Sequence, residues 1–232
     1  MLILALDTSS ALGSVALLRD GAVLAETDTG GAMEHAAQLF PSIESLLSQT
    51  AVKLADINLY AVGVGPGSFN GIRVGIAAVK GLRLATKIPM VGIPSADALA
   101  EDAVARCPSG CNQIAVLADA RRGEWYLSLY QVEGNNAKRR GGDATVAPAR
   151  IPALIRVPTF FVGPDNRKLR DQFTALPWGD ATRFAMLEKD AVSPRAAVVG
   201  KLAEKKFLSQ GTGDSEIEPI YLRQAVLPPV AP

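Results

Sequence analysis

Apolar and polar positions alternate along this chain in blocks that predict strands first and helices second. Residues 2–6 form an apolar run ending at Asp7, and "GSVALL" (13–18) and "AVLAE" (22–26) follow as two more strand-like segments with a turn at "RDG" between them. An antiparallel meander therefore opens the fold. This argues against a dinucleotide-binding fold, which places a helix directly after its first strand. From Met33 to Gln49 the apolar residues Ala36, Leu39, Ile43, Leu46 and Leu47 recur at a helical period, with Pro41 a kink or restart point. "LYAVGVG" (59–65) reads as a buried strand, "GIRVGIAAVKGLRLAT" as a helix ended by Lys87 and Pro89, and "MVGI" (90–93) as a short strand. "SADALAEDAVAR" (95–106) is a further helix, with Ser95 its expected N-cap.

The second half echoes the first. "QIAVLADARRGEWYLSLYQV" (113–132) reads as a hairpin turning at "RRG", and its plan of apolar strand, terminal Asp119, polar turn and second strand matches the plan that ends at Asp7. Repetition on this scale predicts two related lobes. Residues 134–150 are polar and turn-rich and read as a mobile surface excursion, with Lys138, Arg139 and Arg140 a solvated turn. "TFFVG" (159–163) is a strand, and "SPRAAVVGKLAEKKFLS" (193–209) a helix with Ser193 at the cap, Pro194 at the first helical position and Gly211 past the end. The expected divisions are an N-terminal lobe (1–106), a C-terminal lobe (107–192), and a helix and tail (193–232) packing across both.

With 232 residues, 48% of them hydrophobic, the chain can bury a sizeable core. Lys plus Arg number 24 against 23 Asp plus Glu, so any contact with a polyanion must be local. The opening apolar run has no basic leader and is cut short by Asp7, which reads as a cytoplasmic protein without a membrane span. Cys107 and Cys111, in the turn-rich "CPSGC", lack the further ligands that zinc requires, because the sole histidine is His35. Two loop thiols are the plainer reading, and a redox pair the alternative.

The glycine-rich "GPGSFNGIRVG" (65–75) raises the question of a phosphate loop. A strand, loop and helix start would supply free amides and a favourable dipole to an anion. The stretch is not a Walker loop, however, and Ser68 or Asn70 stands where GxGxxG needs its third glycine. Gly71, Gly75, Ala78 and Gly81 also make a shallow helix surface that another backbone can approach. Packing is the preferred reading for the helix, while both readings stay open for the loop. On the same helix Arg73, Lys80, Arg83 and Lys87 fall within a stripe of about 80°, either a solvated face or a docking face for an acidic partner or RNA backbone. Asp7 and Asp119, each ending a strand at a polar turn, could hold hydrated magnesium between lobes or merely cap their turns. Asp7, Ser9, Gly67, Ser68 and Asp119 together form a candidate vestigial phosphate and magnesium site. Serine, cysteine and metal hydrolysis lack support, since His35 has no partner histidine and no GxSxG elbow is present.

"LALDTSS", "GPGSFNGIRVG", "DARRGEWY" and the terminal "EPIYLR", in that order, resemble the TsaB (YeaZ) family over nearly the whole chain, least so between about residues 134 and 192. The resemblance implies an α/β actin-like ATPase (ASKHA) fold of two RNase H-like lobes. It also implies a non-catalytic subunit that pairs with TsaD, the enzyme placing threonylcarbamoyl on the adenosine beside the anticodon of tRNAs reading A-starting codons. Through TsaD it would meet the ATPase TsaE and the tRNA, and isolated chains would form homodimers. Where TsaD carries a His-x3-His metal pair, this chain has Ser95 and Leu99, so no metal centre is expected. Gly163 stands alone in "VGPDN" where the superfamily's adenine loop has paired glycines, so no cofactor is expected to be required and ATP or ADP with magnesium would bind weakly. The family's pairing surface corresponds to helices near 33–49 and 70–86, which makes His35, Leu39, Ile43, Arg73, Gly75, Ala78 and Lys80 the candidate interface. The family has also carried a glycoprotease label, for which this chain shows no catalytic residues. An ATP-binding phosphotransferase using Asp7 and Asp119 is the alternative function.

Overall fold

A computed structural model describes residues 1–31, 34–176, 184–187 and 192–222. Two five-stranded mixed sheets dominate it. The first contains β1 (Leu2–Asp7), β2 (Leu12–Arg19), β3 (Ala22–Gly31), β4 (Leu59–Gly63) and β5 (Met90–Ile93) in the order β3-β2-β1-β4-β5. β2 runs antiparallel to both its neighbours, while β4 pairs parallel with β1 and β5. The second contains β6 (Gln113–Arg121), β7 (Glu124–Glu133), β8 (Asn136–Val146), β9 (Thr159–Val162) and β10 (Phe184–Met186) in the order β10-β9-β6-β7-β8, with the same directions. Strand for strand the two topologies coincide, so the sequence echo reflects two RNase H-like sheets, the duplicated arrangement of an actin-like ATPase fold. Both opening hairpins turn through left-handed pairs, Asp20–Gly21 and Arg122–Gly123, as two-residue hairpins of matching twist require.

The apolar run of β1 is continuous because both faces of its sheet are covered. Leu4 and Leu6, with Val15, Leu17, Tyr60 and Val62, face α1 (His35–Gln49) and α2 (Phe69–Thr86). Ile3 and Ala5, with Ala16, Leu18, Leu59 and Ala61, face the last helix. Around the second sheet, α3 (Ser95–Val104) covers Ile114, Val116, Tyr130 and Phe160, while α4 (Ile151–Leu154) and α5 (Asn166–Phe173) cover Leu117, Trp125 and Phe161. The last helix, α6 (Ala196–Gln210), returns to the first sheet. Each sheet is thus closed by a helix that a boundary at residue 106 or 192 would give to another segment, and the two lobes share their packing.

Several local expectations change. Ser95 is the first residue of α3 and not its cap, which is Pro94. Ser193 does not cap α6 either: Arg195 holds that position, and the free amides of Ala196 and Ala197 donate to Ser14 Oγ (2.9 Å) and Glu26 Oε1 (3.0 Å) from the first sheet. Capping by distant side chains leaves no local sequence signal. The stretch read as a surface excursion is largely β8, the edge of the second sheet. Its Arg139 is not solvated: Nε donates to Asp97 Oδ1 at 2.8 Å, and the guanidinium also reaches Asp143. Cys107 and Cys111 are free thiols, and burial pushes both above the ordinary thiol range, which disfavours redox chemistry. Pro41 lies inside an unbroken α1, on its exposed side. Among the described residues no helix is long and apolar enough to cross a membrane.

Candidate functional site

The contacts of the loop bear on the phosphate-loop question. Asp7, fully buried at the end of β1, lies over Gly63, where a Cβ would come within 1.8 Å of its Oδ2. Its Oδ1 accepts from Ser9 N (2.8 Å) and Ser9 Oγ (2.6 Å), and its Oδ2 from Ser95 Oγ (2.6 Å). Ser95 Oγ in turn accepts from Gly65 N at 3.1 Å, tying the loop to the same carboxylate. Ser68 N donates to Ser9 O (2.7 Å), and Ser68 Oγ caps α2 by accepting from Gly71 N (3.3 Å). A ligand phosphate would need these amides, yet the chain's own turn already takes them.

The glycines follow from the same contact. A Cβ at Gly71 would stand 1.9 Å from Thr8 O, one at Gly67 2.2 Å from Ser9 O, and one at Gly75 2.6 Å from Thr8 Oγ1. No side chain fits where α2 seats on residues 8 and 9, and Thr8 Oγ1 locks the seat by donating to Gly71 O at 2.7 Å. The spacing of Gly67, Gly71 and Gly75 is therefore an intramolecular close approach.

Across the crevice, Asp119 does not join Asp7. Its Oδ2 accepts from Lys168 Nζ on α5 at 2.7 Å and its Oδ1 from Arg121 N at 2.8 Å. Burial alone would raise this carboxyl; the bonds from Lys168 and Arg121 outweigh it and hold the group below the usual carboxylate range. Between Ser9, Pro66, Ser95 and Leu99 on one side and Val116, Ala118 and Tyr126 on the other, the space is about 10 Å³, room for about one water. Among the described residues no three His, Cys, Asp or Glu side chains are grouped to hold a metal. At this point the chain spends on itself what a magnesium nucleotide would use: Ser9, Gly65, Ser68 and Gly71 donate their amides internally, Asp7 and Asp119 accept from different partners, and the space between Ser95 and Val116 holds about one water.

The second candidate surface is the outer side of α1 and α2, which pack together over the first sheet. Leu39 and Ile43 are 1% and 3% exposed and sit in the core with Ile72 and Ile76; Gly75 and Ala78 are likewise buried. Four candidates chosen for a partner surface therefore face the chain's own sheet. Arg73 and Lys80 are exposed, and the side chain of His35, the first residue of α1, lies outside the described residues. Outward instead point Phe40 (48% exposed) and Leu84 (74%), accompanied by the small residues Ala36, Ala37, Ala77 and Gly81. Sequence reasoning missed Phe40 and Leu84, although each is apolar outside the inward arc of its helix, a signal that a helical projection exposes.

A tail strap borders this surface. Ile217 enters the core beneath α2, Ile220 N donates to Val64 O (2.8 Å), and Tyr221 lies against Phe69 with ring centroids 5.1 Å apart. Arg73 joins them, its guanidinium 3.8 Å from the Phe69 centroid and its Nε donating to Tyr221 Oη at 2.7 Å. Farther along, Arg83 donates to Ser215 O at 2.8 Å.

Comparison with known proteins agrees with this architecture. The family model described as TsaD: tRNA N6-adenosine threonylcarbamoyltransferase matches residues 27–216. The chain is 38% identical over 228 residues to the tRNA threonylcarbamoyladenosine biosynthesis protein TsaB of Escherichia coli, covering 97% of this chain and 96% of that one. To the Haemophilus influenzae protein of the same name it is 30% identical, covering 97% and 94%. The solved structure of YeaZ from Pseudomonas aeruginosa superposes with a TM-score of 0.77 at 28% identity, over 95% of this chain and 99% of that chain. This chain belongs to the TsaB (YeaZ) family of tRNA threonylcarbamoyladenosine biosynthesis proteins.

Proposed function

We propose that the chain serves tRNA threonylcarbamoyladenosine biosynthesis as a non-catalytic subunit, pairing through the outer side of α1 and α2 with a TsaD-type catalytic subunit. One observation carries the reading: the contacting helices α1 and α2 each expose a large apolar residue, Phe40 and Leu84, flanked by exposed small residues of the same helix, a feature of the kind that marks a protein interface. Helices bearing Ala and Gly approach a partner helix closely. Isolated chains would self-pair through the same patch, and a TsaE-type ATPase and the tRNA would meet the chain in the assembled complex, in the cytoplasm.

The interior supports the non-catalytic part. Ser95, standing where the TsaD resemblance expects a histidine ligand, spends its hydroxyl on Asp7, and Leu99, at the second such position, is 3% exposed within an apolar cluster. A scaffold of this kind would require no cofactor, a reading supported by Ser9, Gly65, Ser68 and Gly71 donating their amides within the chain.

Reconstitution tests this directly. Threonylcarbamoyl transfer by the TsaD-type and TsaE-type proteins of the same genome is expected to depend on this chain, and Phe40→Asp with Leu84→Asp is expected to abolish co-purification with the catalytic subunit while leaving the circular dichroism spectrum unchanged. Full transfer without the chain, or undiminished pairing by the double variant, sinks the reading.

A further inference from the structure

The outer side of α2 has two flanks, and the second is basic. Taking Arg73 as origin, at 100° per residue Leu84, Ala77 and Gly81 lie about 20 to 80° to one side, while Lys80, Lys87 and Arg83 lie about 20 to 80° to the other. The tail runs along this second flank, since it is there that Arg73 reaches Tyr221 and Arg83 reaches Ser215. Between helix and tail lies a groove of about 450 Å³ lined by Lys80, Arg83, Lys87, Met90, Ser215 and Glu216, with Leu84, at the boundary of the two flanks, on its rim.

What sets these four cations apart is that they follow one another along one helix and none is in an ion pair among the described residues; Arg19, Lys53, Arg122 and Lys201 are also outside any such pair but are scattered elsewhere in the fold. Arg106, Arg139, Lys168, Arg195, Lys205 and Lys206 each contact a carboxylate. Among the described residues no ion pair involves Arg73, Lys80, Arg83 or Lys87, and Glu216, on the groove's own wall, pairs with none of them. In a chain of formal net charge +1, four unneutralised cations on one side of a helix concentrate the positive field there. They span about 21 Å along the axis at 1.5 Å per residue. A linear track of point charges, one of them a guanidinium stacked on Phe69 beside Tyr221, suits a phosphodiester backbone more than a compact anion.

We propose that this seam between α2 and the tail binds the sugar-phosphate backbone of the tRNA, so that the subunit holds the substrate directly as well as pairing with the catalytic subunit. The proposal rests on the tRNA-modification reading above and adds a direct contact to it.

Lys80 and Lys87 are exposed, and their side chains have no hydrogen-bond or ion-pair partner among the described residues, so Lys80→Gln with Lys87→Gln removes two charges and leaves the backbone bond by which Lys87 caps α2. Fluorescence anisotropy of a labelled, unmodified tRNA transcript, titrated with the full chain at several KCl concentrations, reads the effect. At about 0.9 in slope per phosphate contact, log affinity against log salt is expected to become shallower by about 1.8, and binding at 0.1 M KCl to weaken about 60-fold. Lys80→Arg with Lys87→Arg is expected to restore both. An unchanged slope, or no binding by the unaltered chain even at about 50 mM KCl, overturns the proposal. Loss of the catalytic subunit by the Gln variant with tRNA binding intact also overturns it, by assigning the seam to an acidic protein segment. The pairing reading is tested separately by Phe40→Asp alone, on α1 and outside the groove's lining, so either can fail alone.

Discussion

The seat of α2 on residues 8 and 9 predicts that one substitution, glycine to alanine, has opposite signs two turns or more apart on one helix. At Gly71 the new Cβ would meet Thr8 O at 1.9 Å, a backbone atom that cannot rotate away. Overpacking of this kind costs about 1 to 3 kcal/mol. Shifting the helix to relieve it weakens the bond from Thr8 Oγ1 to Gly71 O, worth about 1 kcal/mol. Alanine's better helix propensity offsets about 1 kcal/mol, leaving a net destabilisation of about 1 to 3 kcal/mol. Gly81 sits in the same helix with nothing within 4 Å of a Cβ, so there the propensity term acts alone and stabilises by about 0.5 to 1 kcal/mol. Gly75 falls between, because its Cβ meets the Thr8 hydroxyl at 2.6 Å and the end of Leu6 at 3.0 Å, side-chain atoms that can yield. Thermal unfolding at matched protein concentration would order the melting temperatures as Gly81→Ala, unaltered chain, Gly75→Ala, Gly71→Ala. For a chain this long the extremes are expected about 2 to 4 °C above and below the reference for each kcal/mol. Gly71→Ala melting at or above the unaltered chain would refute the close approach, and with it the explanation of the glycine spacing.

Two further outcomes follow from the carboxylates. Asp119→Asn is expected to lower stability at pH 7 by about 1 kcal/mol, reduced from the usual value for a charged hydrogen bond because Asp119 and Lys168 are partly exposed. Because the folded carboxyl titrates below its ordinary value of 3.8, its contribution is complete above that value and is lost as pH falls through the folded pKa. Urea midpoints of variant and unaltered chain should therefore converge only in strong acid; a gap unchanged down to pH 2 rejects the Lys168 pairing. Asp7→Asn, which replaces an acceptor of three hydrogen bonds in a fully buried site, is expected to cost about 2 to 3 kcal/mol in folding while leaving nucleotide behaviour unaltered. Calorimetry with ATP and magnesium is expected to show no heat for the unaltered chain, and micromolar binding abolished by this substitution would make Asp7 a nucleotide ligand after all.

What the sequence made legible is whatever burial on two faces writes into it. The run of β1, the hairpin turns at Asp20–Gly21 and Arg122–Gly123, and the inward arcs of α1 and α2 are local signals, and all five appear in the structure. Periodicity reports that a face is buried without reporting against what. Leu39, Ile43 and Gly75 therefore looked the same whether they covered a partner or their own sheet, and α3 gave no sign that it covers the second sheet. β8 escaped detection for another reason: as an edge strand carrying Gly141, Gly142 and three basic residues it has little apolar alternation, and its Arg139 is ordered by Asp97 on α3, far off in the chain. Ser14 and Glu26 were invisible as caps for α6 because their partners lie more than one hundred residues downstream.

The glycines that suggested a nucleotide loop acquire a different purpose once α2 is seen as a three-sided element. Its inner side is pinned to the turn after β1 by contacts that leave no room for a side chain, and its start is tied through Gly65 and Ser95 to Asp7. A helix so fixed holds its two outer flanks at a set angle: an apolar one beside α1, and a basic one beside the tail. The tail adds a second constraint, since Ile217 is buried under the helix and Tyr221 braces Arg73 from outside. On the two proposals above, the rigidity of this loop and helix would serve recognition at the surface, because a subunit presenting a protein face and an RNA face in fixed relation needs the element joining them not to move.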